Sequence, residues 1–98
     1  MAAVTDEQVE GVRDLVASIP PGRVSTYGDI AEAAGLSSPR IVGWIMRTDS
    51  SDLPWHRVIS ASGRPAAHLA TRQLERLRAE GVLAVDGRVR LREYRHEF

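Results

Sequence analysis

Pro54-Trp55-His56-Arg57 sets three side chains with different chemical uses next to one another. Trp55 offers a flat apolar face and one indole N–H donor but no nucleophile, so it can line a pocket for a planar ligand and cannot accept a group from it. His56 is a proton carrier near neutral pH, and Arg57 is a planar fork that needs carboxylate or carbonyl partners when buried. The chain has no cysteine. That excludes disulfides, cysteine-ligated zinc and every thiol-transfer or thiol-hydrolase mechanism. The three histidines, His56, His68 and His96, are too scattered to suggest a metal site, and no cofactor is expected.

The charge distribution narrows the partners. The 98 residues carry no net charge, with 13 acids against 13 bases, and every base is arginine. Residues 1–34 hold six acids and two arginines, net −4, whereas residues 35–98 hold seven acids and eleven arginines, net +4. Arginine suits phosphate contacts and stacking on bases, so composition permits a nucleic-acid surface on the later part of the chain without demanding one. With 43% hydrophobic residues in a single short stretch, one small soluble domain spanning 1–98 is expected. No apolar run approaches a membrane span and the first residues do not read as a secretory signal, so the cytoplasm is the expected location, nucleoid-associated in a bacterium.

The elements that must position these side chains are legible from caps and periodicity. Thr5 and Gln8 form a capping box ahead of a stripe of Val9, Val12, Val16 and Ile19, which Pro20-Pro21-Gly22 ends. Thr26 caps a short helix from Tyr27 to about Ala34, stopped by Gly35. Ser38-Pro39 starts a third helix running to about Arg47, with Ile41, Val42 and Ile45 facing inward. Two short helices around a glycine-containing turn make a helix-turn-helix pattern. Val58-Ile59 reads as a short buried strand and Ser62-Gly63 as a turn. Leu69, Leu74 and Leu77 stripe a fourth helix over about 70–80, closed by Gly81. Strands over 82–85 and 88–91 flank Asp86-Gly87, the preferred dipeptide of a type I′ hairpin turn. The expected fold is mainly α with a small C-terminal β-hairpin, a winged-helix-like domain.

Three segments in order carry a resemblance: Ile19 to Ala31 (IPPGRVSTYGDIA), Pro39 to Gly43 (PRIVG) and Pro54 to Ile59 (PWHRVI). Together, over roughly residues 5–83, they resemble the DNA-binding domain of the O6-alkylguanine-DNA alkyltransferases, whose Pro-Cys-His-Arg-Val motif supplies the cysteine that accepts the alkyl group. Here Trp55 occupies that place. Pro-Trp-His-Arg marks the alkyltransferase-like proteins, which bind alkylated bases without repairing them.

The resemblance assigns roles residue by residue. Tyr27 corresponds to the tyrosine that pushes on the phosphate beside the lesion and helps rotate the nucleotide. Arg40 matches the arginine finger that fills the space the base leaves. Thr26, Ser38, Pro39, Arg40, Gly43, Trp44 and Arg47 belong to the surface that meets the minor groove, although capping is a sufficient explanation for Thr26 and Ser38. Trp44 departs from the family pattern of a small or modest residue there; it is expected in the core or at its edge or, second, as an extra groove contact. Trp55, Tyr27, Val58, Arg64 and His68 are expected around the lesion pocket, with His68 standing about where some relatives have an arginine. His56, Glu80 and Arg57 are expected as a structural group, since there is no thiol for His56 to deprotonate.

The expected function is therefore recognition of O6-alkylguanine in double-stranded DNA by nucleotide flipping, without alkyl transfer, as a monomer that flags the lesion for nucleotide excision repair proteins. Two other readings fit some of the same residues. A helix-turn-helix transcriptional regulator would read sequence in the major groove. A DNA-processing enzyme would use His56 and Glu80, but neither has a nucleophile or a metal-binding cluster beside it in the sequence. Arg88, Arg90, Arg92 and Arg95 are compatible with DNA contact and with solvent.

Overall fold

The computed structural model describes residues 4–98. Helix α1 spans Asp6–Ala17, and its capping box is formed: the Thr5 hydroxyl accepts from the Gln8 amide and the Gln8 side chain accepts from the Thr5 amide. Strand β1, Ser25–Thr26, leads straight into α2, Tyr27–Ala33, and α3 covers Pro39–Thr48. A 3-10 turn at Trp55–Arg57 precedes β2, Val58–Ile59; a second at Ala67–Leu69 precedes α4, Ala70–Ala79. Strands β3, Ala84–Val85, and β4, Arg88–Val89, form the hairpin, and a one-turn helix α5 follows at Leu91–Tyr94.

Two apolar clusters lie on either side of a two-residue parallel ladder. β1 pairs with β2 in register Ser25–Val58 and Thr26–Ile59. Successive residues of a strand face opposite ways. Accordingly Val58 joins Val12, Val16, Ile19, Ile30, Val42 and Ile45 beneath α1 to α3. Its neighbour Ile59 joins Val24, Leu77, Val82 and Val89 beneath α4 and the hairpin. Valine and isoleucine dominate both clusters, and each buried side chain contributes about 1.5–3 kcal/mol of transfer free energy.

The hairpin is shorter than its sequence pattern. Asp86 and Gly87 both have positive φ, 54° and 73°, as a type I′ turn requires. The antiparallel ladder nevertheless covers only 84–85 and 88–89, because Val82 is drawn into the core beside Leu77 and Leu91 begins α5. On the far side of β4 the turn at 60–63 closes in: Val89 N–H donates to the Gly63 carbonyl at 2.8 Å. Gly63 has φ 79°, and a Cβ there would stand 2.2 Å from the Val89 carbonyl oxygen, so only glycine fits.

The C-terminal segment is tied back rather than free. Val24 N–H donates to the Tyr94 carbonyl and His96 N–H to the Val24 carbonyl, at 2.9 and 2.7 Å. Arg95 makes a bidentate pair with Asp29 of α2, both contacts at 2.7 Å. Arg13 of α1 grips the segment that delivers Trp55, reaching the Asp49 carbonyl at 2.8 Å and both oxygens of Asp52 at 3.1 and 2.5 Å.

Candidate nucleic-acid interface

Val42 and Ile45 turn one side of α3 into the core. The other side carries Arg40, Gly43, Trp44 and Arg47, at the i, i+3, i+4, i+7 spacing that defines one helical face. Arg40, Trp44 and Arg47 are exposed and Gly43 is half-buried. Trp44 is 47% exposed, so it stands on the outer face of α3 and not in the core or at its edge, the placement expected first. The register decides this: Val42 and Ile45 already fill the inward positions. The Ser38 hydroxyl caps α3 by accepting from the Arg40 amide at 3.2 Å, and Pro39 occupies the first turn on the exposed side.

Thr26 does not belong to this surface. Its side chain caps α2, accepting from the Asp29 amide at 3.0 Å, and the residue is 2% exposed. A phosphate cannot reach a hydroxyl so enclosed, so capping is its whole visible role. Tyr27, the first residue of α2, is half-buried, and that burial raises its phenol above the usual tyrosine range despite the nearby Arg47. It stays a protonated donor at neutral pH.

Tyr27 forms one wall of a recess of about 210 Å³ whose other walls are Val58, Ile59 and Ser60, the Arg64-Pro65-Ala66 loop, and Gln73 of α4. This is below the ~300–1,000 Å³ of sites for drug-sized ligands and is the scale of one planar group. Gln73 is buried and donates from its amide nitrogen to the carbonyl oxygens of His56 and Val58 at 3.0 and 2.8 Å, which locks α4 against the strand. The sequence signal that marks Gln73 is its place within the apolar stripe, four residues after Leu69 and four before Leu77.

Two residues expected in the pocket, Trp55 and His68, do not line this recess. His68 lies in the 67–69 turn and is exposed. Trp55 is half-buried under α4, where the guanidinium carbons of Arg72 and Arg76 stand 5.6 and 5.3 Å from its ring centroid. These two arginines, one helical turn apart, are absent from the sequence reading. Their i, i+4 spacing is visible in the sequence, but the tryptophan between their heads is brought there only by the fold.

Behind Trp55 sits a charged network. His56 Nε2 lies 2.8 Å from Glu80 Oε2. Arg57 donates Nε to Glu80 Oε1 at 3.0 Å and Nη2 to Oε2 at 2.7 Å, with Nη1 on the Ile19 carbonyl at 2.9 Å. The Gly22 amide completes the set at 3.2 Å. Arg57 first, with help from His56 and Gly22, holds the Glu80 carboxyl down to about 2 although burial opposes it. His56 Nδ1 is buried without a protein partner. The His56 and Trp55 rings stand T-shaped, with centroids 6.1 Å apart. A buried histidine with a fixed carboxylate could move a proton, but nothing beside it can attack or leave.

The comparison with known proteins bears on this arrangement directly. Residues 8–82 match the family described as 6-O-methylguanine DNA methyltransferase, DNA binding domain. Alkyltransferase-like protein 1 of Schizosaccharomyces pombe is 43% identical over 84 residues, covering 79% of this chain and 78% of that protein. The chain belongs to the alkyltransferase-like proteins. A DNA base-flipping protein of Escherichia coli is 39% identical over 101 residues, 95% of this chain and 77% of its own length.

The fold agrees at the level of backbone. This alkyltransferase-like chain superimposes on the S. pombe protein in complex with damaged DNA containing O6-carboxymethylguanine with a TM-score of 0.86 and 36% identity, covering 97% of this chain and 99% of that one. Against the O6-methylguanine methyltransferase of Mycobacterium tuberculosis the TM-score is 0.67 at 30% identity, over 86% of this chain and 53% of the longer enzyme. The mainly helical, winged-helix-like architecture with a small hairpin is thus that of the alkyltransferase DNA-binding domain.

Proposed function

We propose that this alkyltransferase-like chain binds duplex DNA at O6-alkylated guanine, holds the lesion extrahelically and performs no covalent step. The observation that carries the reading is Trp55 in the alkyl-acceptor position, directly before a His56–Glu80–Arg57 network whose carboxylate is fully occupied by its neighbours. A site with an intact frame and no nucleophile binds without reacting. Its S. pombe relative in complex with damaged DNA containing O6-carboxymethylguanine supports DNA lesions as the ligand class.

In the proposed sequence, the exposed face of α3 enters the minor groove, with the small Gly43 allowing close approach and Arg47 and the α3 N-terminus meeting phosphates. Tyr27 presses on the backbone and Arg40 stacks into the gap. Extrusion costs a few kcal/mol, least for an already weakened pair, and aromatic or guanidinium contact offsets about 1–3 kcal/mol of it. The base enters the recess between Tyr27, Val58 and the Arg64 loop. The held lesion then recruits nucleotide excision repair proteins.

The test is a titration of matched duplexes carrying guanine or O6-methylguanine, followed by fluorescence anisotropy, with mass spectrometry of DNA and protein afterwards. Tighter binding to the lesion with both masses unchanged is the expected result. Equal affinity for the two duplexes sinks lesion recognition and favours a sequence-reading regulator. A repaired base or an altered protein mass sinks the absence of chemistry.

A further inference from the structure

Arg72 and Arg76 bring two positive charges to one indole. Neither arginine makes an ion pair among the described residues. Glu80 is committed to Arg57, His56 and Gly22, and the exposed Glu75 forms no ion pair with either arginine among the described residues. Each cation is attracted to the ring face, but the two repel one another, and an aromatic quadrupole neutralises neither. Position 55 is therefore flanked by two guanidinium groups that have no ion-pair partner among the described residues. Gln73, between the two arginines in sequence and buried, anchors α4, the helix that carries them, beside the recess.

We propose that Arg72 and Arg76 make position 55 a cationic wall that selects guanine adducts ending in a carboxylate over neutral or cationic ones. The inference rests on the lesion-binding reading above and adds one step to it: the O6 substituent of a base seated in the recess extends past Val58 and Gln73 toward Trp55, which flanks the recess without lining it. A carboxylate arriving there gains charge-assisted contact with long, exposed guanidinium forks that can close on it in bidentate fashion. A methyl group gains nothing from the charge, and an ammonium group is repelled.

The experiment compares four duplexes that differ only at one guanine: unmodified, O6-methyl, O6-carboxymethyl and O6-aminoethyl. Wild type is expected to bind carboxymethyl about 5–10-fold tighter than methyl at low salt, and aminoethyl more weakly than methyl, with both differences shrinking as salt rises. In Arg72→Gln/Arg76→Gln the carboxymethyl-to-methyl ratio should fall to within about twofold, while Arg72→Lys/Arg76→Lys, which retains both charges, keeps most of it. Trp55 emission, read in a Trp44→Phe background, should shift in the glutamine pair while the urea unfolding midpoint stays that of the background, showing that the cations left the ring and not that the fold was lost. An unchanged ratio in the glutamine pair, a collapsed ratio in the lysine pair, or no carboxymethyl preference in wild type overturns the cationic wall. Failure to separate any modified duplex from the unmodified one overturns the lesion-binding reading instead.

Discussion

Glu80 receives Arg57 through both of its oxygens, Nε to Oε1 at 3.0 Å and Nη2 to Oε2 at 2.7 Å, across 23 positions of sequence. The pair joins the end of α4 to the turn that presents Trp55, and Arg57 extends the link to the Ile19 carbonyl after α1. Both side chains are mostly shielded, at 14% and 16% exposure.

That pairing predicts an acid-labile contribution to stability. The folded carboxyl sits near 2, below its ordinary value of 4.5, so the folded state binds the proton less readily than the unfolded chain. Its contribution is complete above pH 4.5 and is lost as pH falls from there toward 2. Urea midpoints measured across this range should decline in wild type and decline less steeply in Glu80→Gln. Parallel slopes in the two proteins would remove Glu80 from the acid response.

Arg57→Ala leaves the carboxylate shielded and without its main partner. Fully buried pairs lose about 3–5 kcal/mol on such a truncation, and with the residual exposure here about 2 kcal/mol is expected. Urea denaturation measures it. A loss below about 0.5 kcal/mol, the level of ordinary surface changes, would show the network to be ornamental.

Arg40→Ala and Tyr27→Phe should separate recognition from folding. Arg40 is exposed and its side chain makes no hydrogen bond or ion pair among the described residues, whereas Tyr27 loses only a hydroxyl. Lesion affinity should fall about tenfold for Arg40→Ala, the value of one stacking contact, and several-fold for Tyr27→Phe, with little change in melting temperature. Wild-type affinity in both would exclude them from the flipping step.

Trp44 carries a different expectation. Its exposed indole lies on the same face of α3 as Arg40 and Arg47. Trp44→Ala should cost less than about 0.5 kcal/mol of stability yet weaken unmodified and O6-methylguanine duplexes alike. A selective loss for the lesion would move Trp44 from groove contact to base recognition.

Gly63→Ala tests the packing of the hairpin. The new Cβ would overlap the Val89 carbonyl oxygen at 2.2 Å, at a φ of 79° that already disfavours a side chain. A destabilisation of more than about 2 kcal/mol is expected from strain and displaced backbone together, measurable by thermal or urea unfolding. A near-neutral result would mean that β4 shifts away from the turn at little cost.

What could be read from the sequence was local. Thr5 with Gln8, Thr26, and Ser38 before Pro39 mark helix starts because each satisfies amides within its own turn, and Asp86-Gly87 selects its turn by backbone conformation. The parallel β1–β2 ladder escapes such reading: two residues long, it joins positions 33 apart in the sequence, and only the isolated apolar pair Val58-Ile59 hints at it. Helix α5 is a single turn with a charged sequence and no cap, held by Val24 and not by propensity. At the site, the family motif pointed to Tyr27, Arg40 and Trp55, and of α4 it carried only Glu80 at the helix end. Gln73, Arg72 and Arg76 gain their partners from tertiary placement alone, and the same placement leaves His68 in solvent.

The alternation at β2 has a mechanical consequence. Val58 is embedded in one apolar cluster and Ile59 in the other, so a single peptide group is shared by both halves of the molecule. Neither half can loosen without withdrawing a side chain from its counterpart, and the ligand recess rests on that same peptide. This couples the two halves into one cooperative unit, and amide hydrogens of α1 and α4 are expected to exchange through a common global opening.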